Sequence, residues 1–308
     1  MGLAVVTVAS GGLPIVESTV GGTPVTEATN GRGVPVTKVV GKPGLPVVFE
    51  TIGAGGGAAA PPLDDVEVDV VGGYSASRKL LTSFGAGAKV LESGGVVQSF
   101  FNQKTGGSAA LSQSTVAYRP TLTTAGPNGV ACLNFDGTDD CLFSPGGAGG
   151  TLADYISAAT GLIVISFIAD VIDASNITVY ANEGLMGDSG GFMGLFTKTP
   201  DAIHLYNYDG TIDTVSTPIT EGVPYVAEWR HEGGIAYVRI NGGTEVNVAS
   251  GNTSGLAGLL GIGGTSVVPV AATSFDGKIF ELATFKTVPN LTKRNTLVAN
   301  MMAHIGAT

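Results

Sequence analysis

The sequence predicts an all-β protein, in which an extended N-terminal arm of β repeats leads into a β-sandwich of the jelly-roll kind with a short C-terminal helix. Three observations predict this. Charged residues are 13% of the 308-residue chain, about half the ~25% of an average domain. Glycine supplies 48 of the 308 residues, so tight turns are frequent. Strong helix formers are scarce while Val, Thr, Gly and Ala abound, which favours strands separated by turns. Hydrophobic residues at 44% suffice for a packed core.

The arm covers residues 1–52. Four segments share the pattern Gly-x-Pro-[Ile/Val]-[Val/Thr], beginning at Gly12, Gly22, Gly33 and Gly44. Their prolines, Pro14, Pro24, Pro35 and Pro46, are spaced 10, 11 and 11 residues apart. Each unit reads as a turn followed by a short β-branched strand. Proline lacks the ladder donor and keeps to strand starts and edges. A unit this small buries no face alone, so it is expected to stack on its neighbours or wind with other chains. The expectation is an attachment arm that assembles a homotrimer.

Residues 53–63 follow as a linker. Gly53-Ala54-Gly55-Gly56-Gly57-Ala58-Ala59-Ala60-Pro61-Pro62 offers no side chain that anchors a core. Residues 64–308 form the sandwich domain. Strands are expected at 131–135, 141–143, 162–169, 177–181, 192–197, 203–208, 225–231, 235–240, 244–248 and 280–285. Asn241-Gly242-Gly243 between two of these runs is a hairpin signal. Alternation places Leu133, Phe135, Ile163, Ile165, Phe167, Trp229, Ile279 and Phe285 in the core. At the end, Leu291, Leu297, Val298, Met301, Met302 and Ile305 fall near helical periodicity, with Gly306 as C-cap.

Charge narrows the partners. The net charge is −10 and the 15 Lys and Arg are scattered, so no basic track for nucleic acid is present. No run approaches the ~20 apolar residues of a membrane helix. The first residues lack the basic and apolar regions of a secretion signal.

One stretch carries a family resemblance. Phe135-Asp136-Gly137-Thr138-Asp139-Asp140-Cys141-Leu142 resembles the strand pair of concanavalin A-like (laminin G-like) sandwiches. Trp229, Asn241-Gly242, Leu260-Gly261-Ile262-Gly263 and Phe275-Asp276-Gly277-Lys278-Ile279-Phe280-Glu281 follow in that family's order. Upstream, Tyr74-Ser75-Ala76-Ser77-Arg78-Lys79-Leu80, Phe101-Asn102-Gln103 and Arg119-Pro120-Thr121-Leu122 resemble the opening of the α-L-arabinofuranosidase B-like sandwich. That opening, like the Gly-x-Pro repeats, is similar to ones found in phage virion proteins. Asn102 departs from the family's Asp-Gln pair.

The residue chemistry offers several candidate sites. Glycoside hydrolysis needs two carboxylates about 5–9.5 Å apart, and Glu183, Asp188, Glu228 and Glu281 lie on or near strands. Glu228 sits beside Trp229, and the alternatives to a sugar platform there are an outward-facing residue or a structural ion pair, as with Arg230. Asp136, Asp139 and Asp140 make a compact acidic turn whose oxygens suit Ca²⁺, although Asp136-Gly137 also explains the turn as an Asx-type hairpin. Cys132 and Cys141 flank it, as a disulfide, two buried free thiols or an intersubunit bridge. For sugar binding, Tyr206, Tyr208 and Trp229 are stacking candidates, with Asn207 and Asp209 as hydrogen-bonding partners. The alternative for these residues is ordinary strand packing. His204, His231 and His304 have no metal-ligand spacing. Gly261, Gly263 and Gly264 lack the Lys-Ser/Thr of a phosphate loop.

These readings converge on a virion protein without a catalytic role or a required cofactor. It would be a structural head-decoration, collar or tail-fibre component. Its arm would bind capsid, neck or tail proteins, and its lectin-like sandwich would face outward, where a host surface glycan is the alternative partner. Glycoside hydrolase activity is the second alternative.

Overall fold

The structure, a computed structural model, describes residues 6–10, 13–20, 23–29, 35–40, 70–77, 90–104, 110–124, 126–145, 150–157, 160–172, 183–188, 193–198, 202–208, 212–249, 258–264 and 274–308. The chain divides into two compact units, Met1–Gly56 and Gly57–Thr308. The division falls within the Gly/Ala/Pro stretch 53–63, which lies outside the described residues, as does Pro46.

In the first unit the repeats pair with one another. Strands β1 (Val6–Ser10), β2 (Leu13–Val20), β3 (Thr23–Thr29) and β4 (Pro35–Val40) form one antiparallel sheet in chain order. Pro14 and Pro24 stand second in their strands and Pro35 first. A missing backbone donor disturbs the ladder least at such positions. The 10- and 11-residue spacing is thus the length of one strand plus its turn.

Among the described residues the second unit is all β except for one α-helix and three single-turn 3-10 helices. One antiparallel layer runs β5 (Val70–Ser75), β21 (Asp276–Phe285), β12 (Thr160–Ala169), β17 (Pro224–Glu232), β18 (Ile235–Ile240) and β19 (Val246–Ala249). Strand β10 (Cys132–Asp136) pairs with the first half of β21 and with β9 (Thr121–Thr123). The other layer runs β8 (Leu111–Ser112), β11 (Leu142–Phe143), β20 (Leu260–Ile262), β13 (Glu183–Asp188), β14 (Met193–Lys198), β15 (Ala202–Tyr208) and β16 (Ile212–Pro218). Strand β7 (Val96–Phe100), the partner of β6 (Val90–Ser93), pairs with both β8 and β9 and closes the series.

Two apolar layers hold this unit. Leu133, Phe135, Ile163, Ile165, Phe167, Trp229 and Ile279 lie in the interior cluster, as alternation predicts. Phe285 is equally buried but belongs to the other cluster, on the outer face of the β12–β21–β17 sheet. The register of β12 against β21 shifts at Ser166/Phe167, and such an irregularity reverses which side chains face inward. Against that outer face packs helix α1 (Leu291–Ile305), through Leu297, Val298, Met301 and Ile305. Asn290 caps its start by accepting from the Lys293 N–H, and Gly306 ends it at φ 72°. Coverage on both faces explains why β12 is buried at every position from Gly161 to Ala169.

The hairpin signal at Asn241 is also used locally. Asn241 and Gly242 adopt φ 49° and 69°, and the Asn241 carboxamide oxygen accepts from the Val226 N–H at 2.8 Å. The predicted strand at 177–181 lies outside the described residues.

Candidate functional site

Four groups of polar side chains were singled out by their residue chemistry, and the fold assigns them different tasks. Glu228 alternates with the interior residues Ala227 and Trp229, so it faces α1. It is 1% exposed. Its carboxylate accepts from Arg239 Nε and, at 3.0 Å, from Arg294 Nε. Arg239 stands directly opposite it on β18, while Arg294 comes from the first turns of α1. Arg230, the partner expected for Glu228, bonds Glu232 and Glu245 instead and lies 3.5 Å over the Tyr237 ring. A cross-strand neighbour meets Glu228 more directly than a residue two along the same strand. Arg294 also reaches Glu245, so one lattice of alternating charges ties the helix to the sheet. Burial pushes Glu245 up, but bonding and charge from Arg230 and Arg294 outweigh it and leave it lowered.

Glu281 is fully buried at the opposite border of the helix. It accepts from Ser75 Oγ at 3.0 Å and lies 3.6 Å from His304 Nε2. His304 Nε2 is 2.7 Å from Ser77 Oγ. Asn102 and Gln103 serve the same neighbourhood. Asn102 Oδ1 accepts from the Gly73 N–H, and Gln103 Nε2 donates to the Ser75 carbonyl. Glu228 and Glu281 are thus engaged in holding α1 and β5. Glu183 and Asp188 occupy the two ends of β13.

The acidic turn is compact. One carboxylate oxygen each from Asp136, Asp139 and Asp140 lie within 4.8 Å of one another. Asp136 Oδ1 accepts from the backbone N–H of Thr138 at 2.8 Å, and Asp140 Oδ2 accepts from that of Asp136 at 3.1 Å. Gly137, at φ 71°, takes the left-handed position. The oxygens have the hardness and closeness that Ca²⁺ asks for, while the turn's own donors already engage two of the three. Burial, then the charge of Asp136, pushes Asp140 up to about 7. Across from Asp136 on β21, Asp276 is also raised, first by burial and then by Asp170 and Asp136.

The cysteines are free and buried. Cys132 opens β10 and Cys141 immediately precedes β11, and these strands do not pair: β10 joins β21 and β9, whereas β11 joins β20 and β8. Burial pushes the Cys132 thiol up to about 12 and the Cys141 thiol up to about 11, which leaves both unreactive at neutral pH.

Of the sugar-binding candidates, Trp229 is 1% exposed inside the interior cluster and cannot stack on a ligand. Its neighbour Ile163, directly opposite on β12, shares that face. Tyr206, Asn207 and Tyr208 lie in β15, paired across to Thr214, Asp213 and Ile212 of β16. Asp209 lies outside the described residues. The sequence reading missed the roles of Arg239, Arg294, Ser77 and His304, whose partners are 11 to 227 residues away.

No known protein-family profile matches the chain, and no curated protein matches it in sequence. The fold has solved counterparts. An arabinofuranosidase complexed with arabinofuranosyl-α-1,2-xylobiose matches with a TM-score of 0.54 at 13% identity, over 79% of this chain and 65% of that one. A mutant α-L-arabinofuranosidase soaked with 4-nitrophenyl α-L-arabinofuranoside matches at 0.55 and 14%, over 78% and 64%. Trypanosoma rangeli sialidase in complex with sialic acid matches at 0.51 and 11%, over 99% and 54%. The chain therefore spans less than two thirds of each matched protein. At these identities the likeness is one of fold. It nevertheless corrects the expectation of a non-catalytic protein, because the folds matched are those of glycoside hydrolases. A missing acid/base motif is weak ground for excluding catalysis, since two carboxylates converge from distant strands without a sequence signature.

Proposed function

We propose that this chain presents a carbohydrate-directed sandwich on a phage particle, with the N-terminal repeat unit as its attachment arm and three copies assembled through that arm. The observation that supports the carbohydrate reading is the sandwich fold, whose solved counterparts hold arabinofuranosides and sialic acid. The Gly-x-Pro strand repeats and their resemblance to phage proteins support the attachment reading. Hydrolysis is the second reading, favoured because the matched proteins are glycosidases.

The test uses the purified full-length protein and capsular and lipopolysaccharide glycans of candidate hosts. Retention of a glycan is the expected result, and appearance of new reducing ends distinguishes hydrolysis from recognition. If no host glycan were either retained or cleaved, the carbohydrate reading would be sunk. A protein that starts at residue 61 is expected to be a folded monomer by light scattering, whereas an undiminished oligomer would move the interface into the sandwich.

A further inference from the structure

Ser77 and His304 are 227 residues apart, yet Ser77 Oγ lies 2.7 Å from His304 Nε2. That is the spacing of a nucleophile and its general base, about 2.6–3.2 Å. Both side chains reach the surface: Ser77 is half-buried and the His304 side chain is 12% exposed. We propose that Ser77 is a nucleophile activated by His304, and that the pair cleaves small acyl esters. The inference goes beyond the carbohydrate reading and does not depend on it.

Three features of the surroundings favour this over a simple polar staple between β5 and α1. The first is Glu281, a fully buried carboxylate whose Oε1 lies 3.6 Å from His304 Nε2. Its charge stabilises the imidazolium that forms when Nε2 takes the serine proton. The second is the setting of His304 in the last turn of α1, where the helix carbonyls favour a cation. The third is rigidity. Ser75 Oγ donates to Glu281 at 3.0 Å and accepts from the Ser77 N–H at 3.3 Å, so one serine positions both the carboxylate and the nucleophile. The helix that carries His304 is held at its other end by Glu228 and Arg294.

The chemistry balances with water as the only co-reactant. In the tautomer protonated at Nδ1, the Ser77 hydroxyl donates to Nε2. Oγ attacks the ester carbonyl carbon while its proton passes to Nε2. The tetrahedral adduct collapses, the bond to the leaving oxygen breaks, and the alcohol departs with the proton from Nε2. Water then repeats the sequence on the acyl-serine, releases the carboxylic acid and restores the hydroxyl. Positioned proton transfer of this kind supplies about 10²–10⁴-fold in rate.

The experiment incubates the full-length protein with a fluorophosphonate and, separately, with 4-nitrophenyl acetate. A single adduct on Ser77 by peptide mass spectrometry is expected, with 4-nitrophenol release at least ~100-fold faster than in Ser77→Ala. His304→Gln keeps a polar side chain but cannot take the proton, so both readouts should fall while the melting temperature stays near that of the parent. The rate should follow the deprotonation of one imidazole-like group. Absence of a Ser77 adduct in folded wild-type protein would overturn the proposal. Equal ester hydrolysis by the parent and a folded Ser77→Ala would do the same. Should Ser77→Ala not fold, the wild-type adduct alone decides.

Discussion

Glu228 and Asp140 are both buried carboxylates of the same domain, 1% and 5% exposed, yet they sit in opposite electrostatic company. Glu228 is enclosed by Arg239 and Arg294, with Arg230 and Glu245 continuing the alternation of sign. Asp140 is enclosed by carboxylates: Asp136 and Asp139 in its own turn, with Asp276 across from Asp136. Burial disfavours a charge in both places. Around Glu228 the neighbouring cations offset that penalty, and the ion lattice fixes where the helix lies. Around Asp140 the neighbouring anions add to it. One buried carboxylate therefore orders the fold, while the other makes the fold sensitive to protons.

The largest effect should come from breaking the first of these. Glu228→Gln keeps the shape of the side chain and removes its charge, leaving Arg239 and Arg294 buried beside a neutral amide. Loss of one partner of a buried pair typically costs about 3–5 kcal/mol. Urea unfolding followed by tryptophan fluorescence measures it directly, because Trp229 is the single tryptophan and lies next in sequence. A loss below ~1 kcal/mol would show that the lattice contributes nothing beyond apolar packing of the helix.

Acid should sharpen the comparison at the other carboxylate, with a smaller effect. Asp140 has a folded pKa of about 7, whereas an unfolded aspartate has about 3.9. As pH falls through 7 the folded state takes up a proton that the unfolded state does not yet bind, so stability rises. The gain from this group is complete below the unfolded value and is lost as pH climbs back through 7. At about 1.4 kcal/mol per unit, the difference between pH 8 and pH 5 is on the order of 2 kcal/mol. Asp276 is raised in the same direction. Asp140→Asn should flatten the dependence of the melting temperature between pH 5 and pH 8. A variant as pH-dependent as the parent would assign the slope to other groups.

The contrast also shows which parts of this protein its sequence discloses. Period-two alternation placed Ile163, Ile165 and Phe167 inward because β12 keeps a regular pleat through them. Phe285 is buried as expected but on the other face of the sheet, because the register shift between β12 and β21 leaves no mark in composition. Asp136-Gly137 announced its turn because the chemistry is local: the side chain bonds a backbone N–H two residues on. Nothing local announced that Glu228 meets Arg294, since 66 residues and a helix docking event separate them. Trp229 illustrates the same limit. Its aromatic character suited a sugar platform and a core equally, and only the direction of the strand face decided for the core. Asn102, a departure from the expected motif, proves to clasp the backbone at Gly73 and Lys104.

The smallest effect tests where the lattice ends. Glu232 also bonds Arg230, but its side chain is 55% exposed. Arg230 keeps both contacts with Glu245 and its position over Tyr237 without it. Exposed pairs are screened by solvent and are worth about 0.2–1 kcal/mol. Glu232→Gln should therefore cost less than ~1 kcal/mol, and the loss should shrink in 1 M NaCl, where the screening length falls to about 3 Å. The parallel measurement on Glu228→Gln should be nearly independent of salt, because buried charges are screened far less. If both variants lost the same stability with the same salt dependence, burial would not be what separates them.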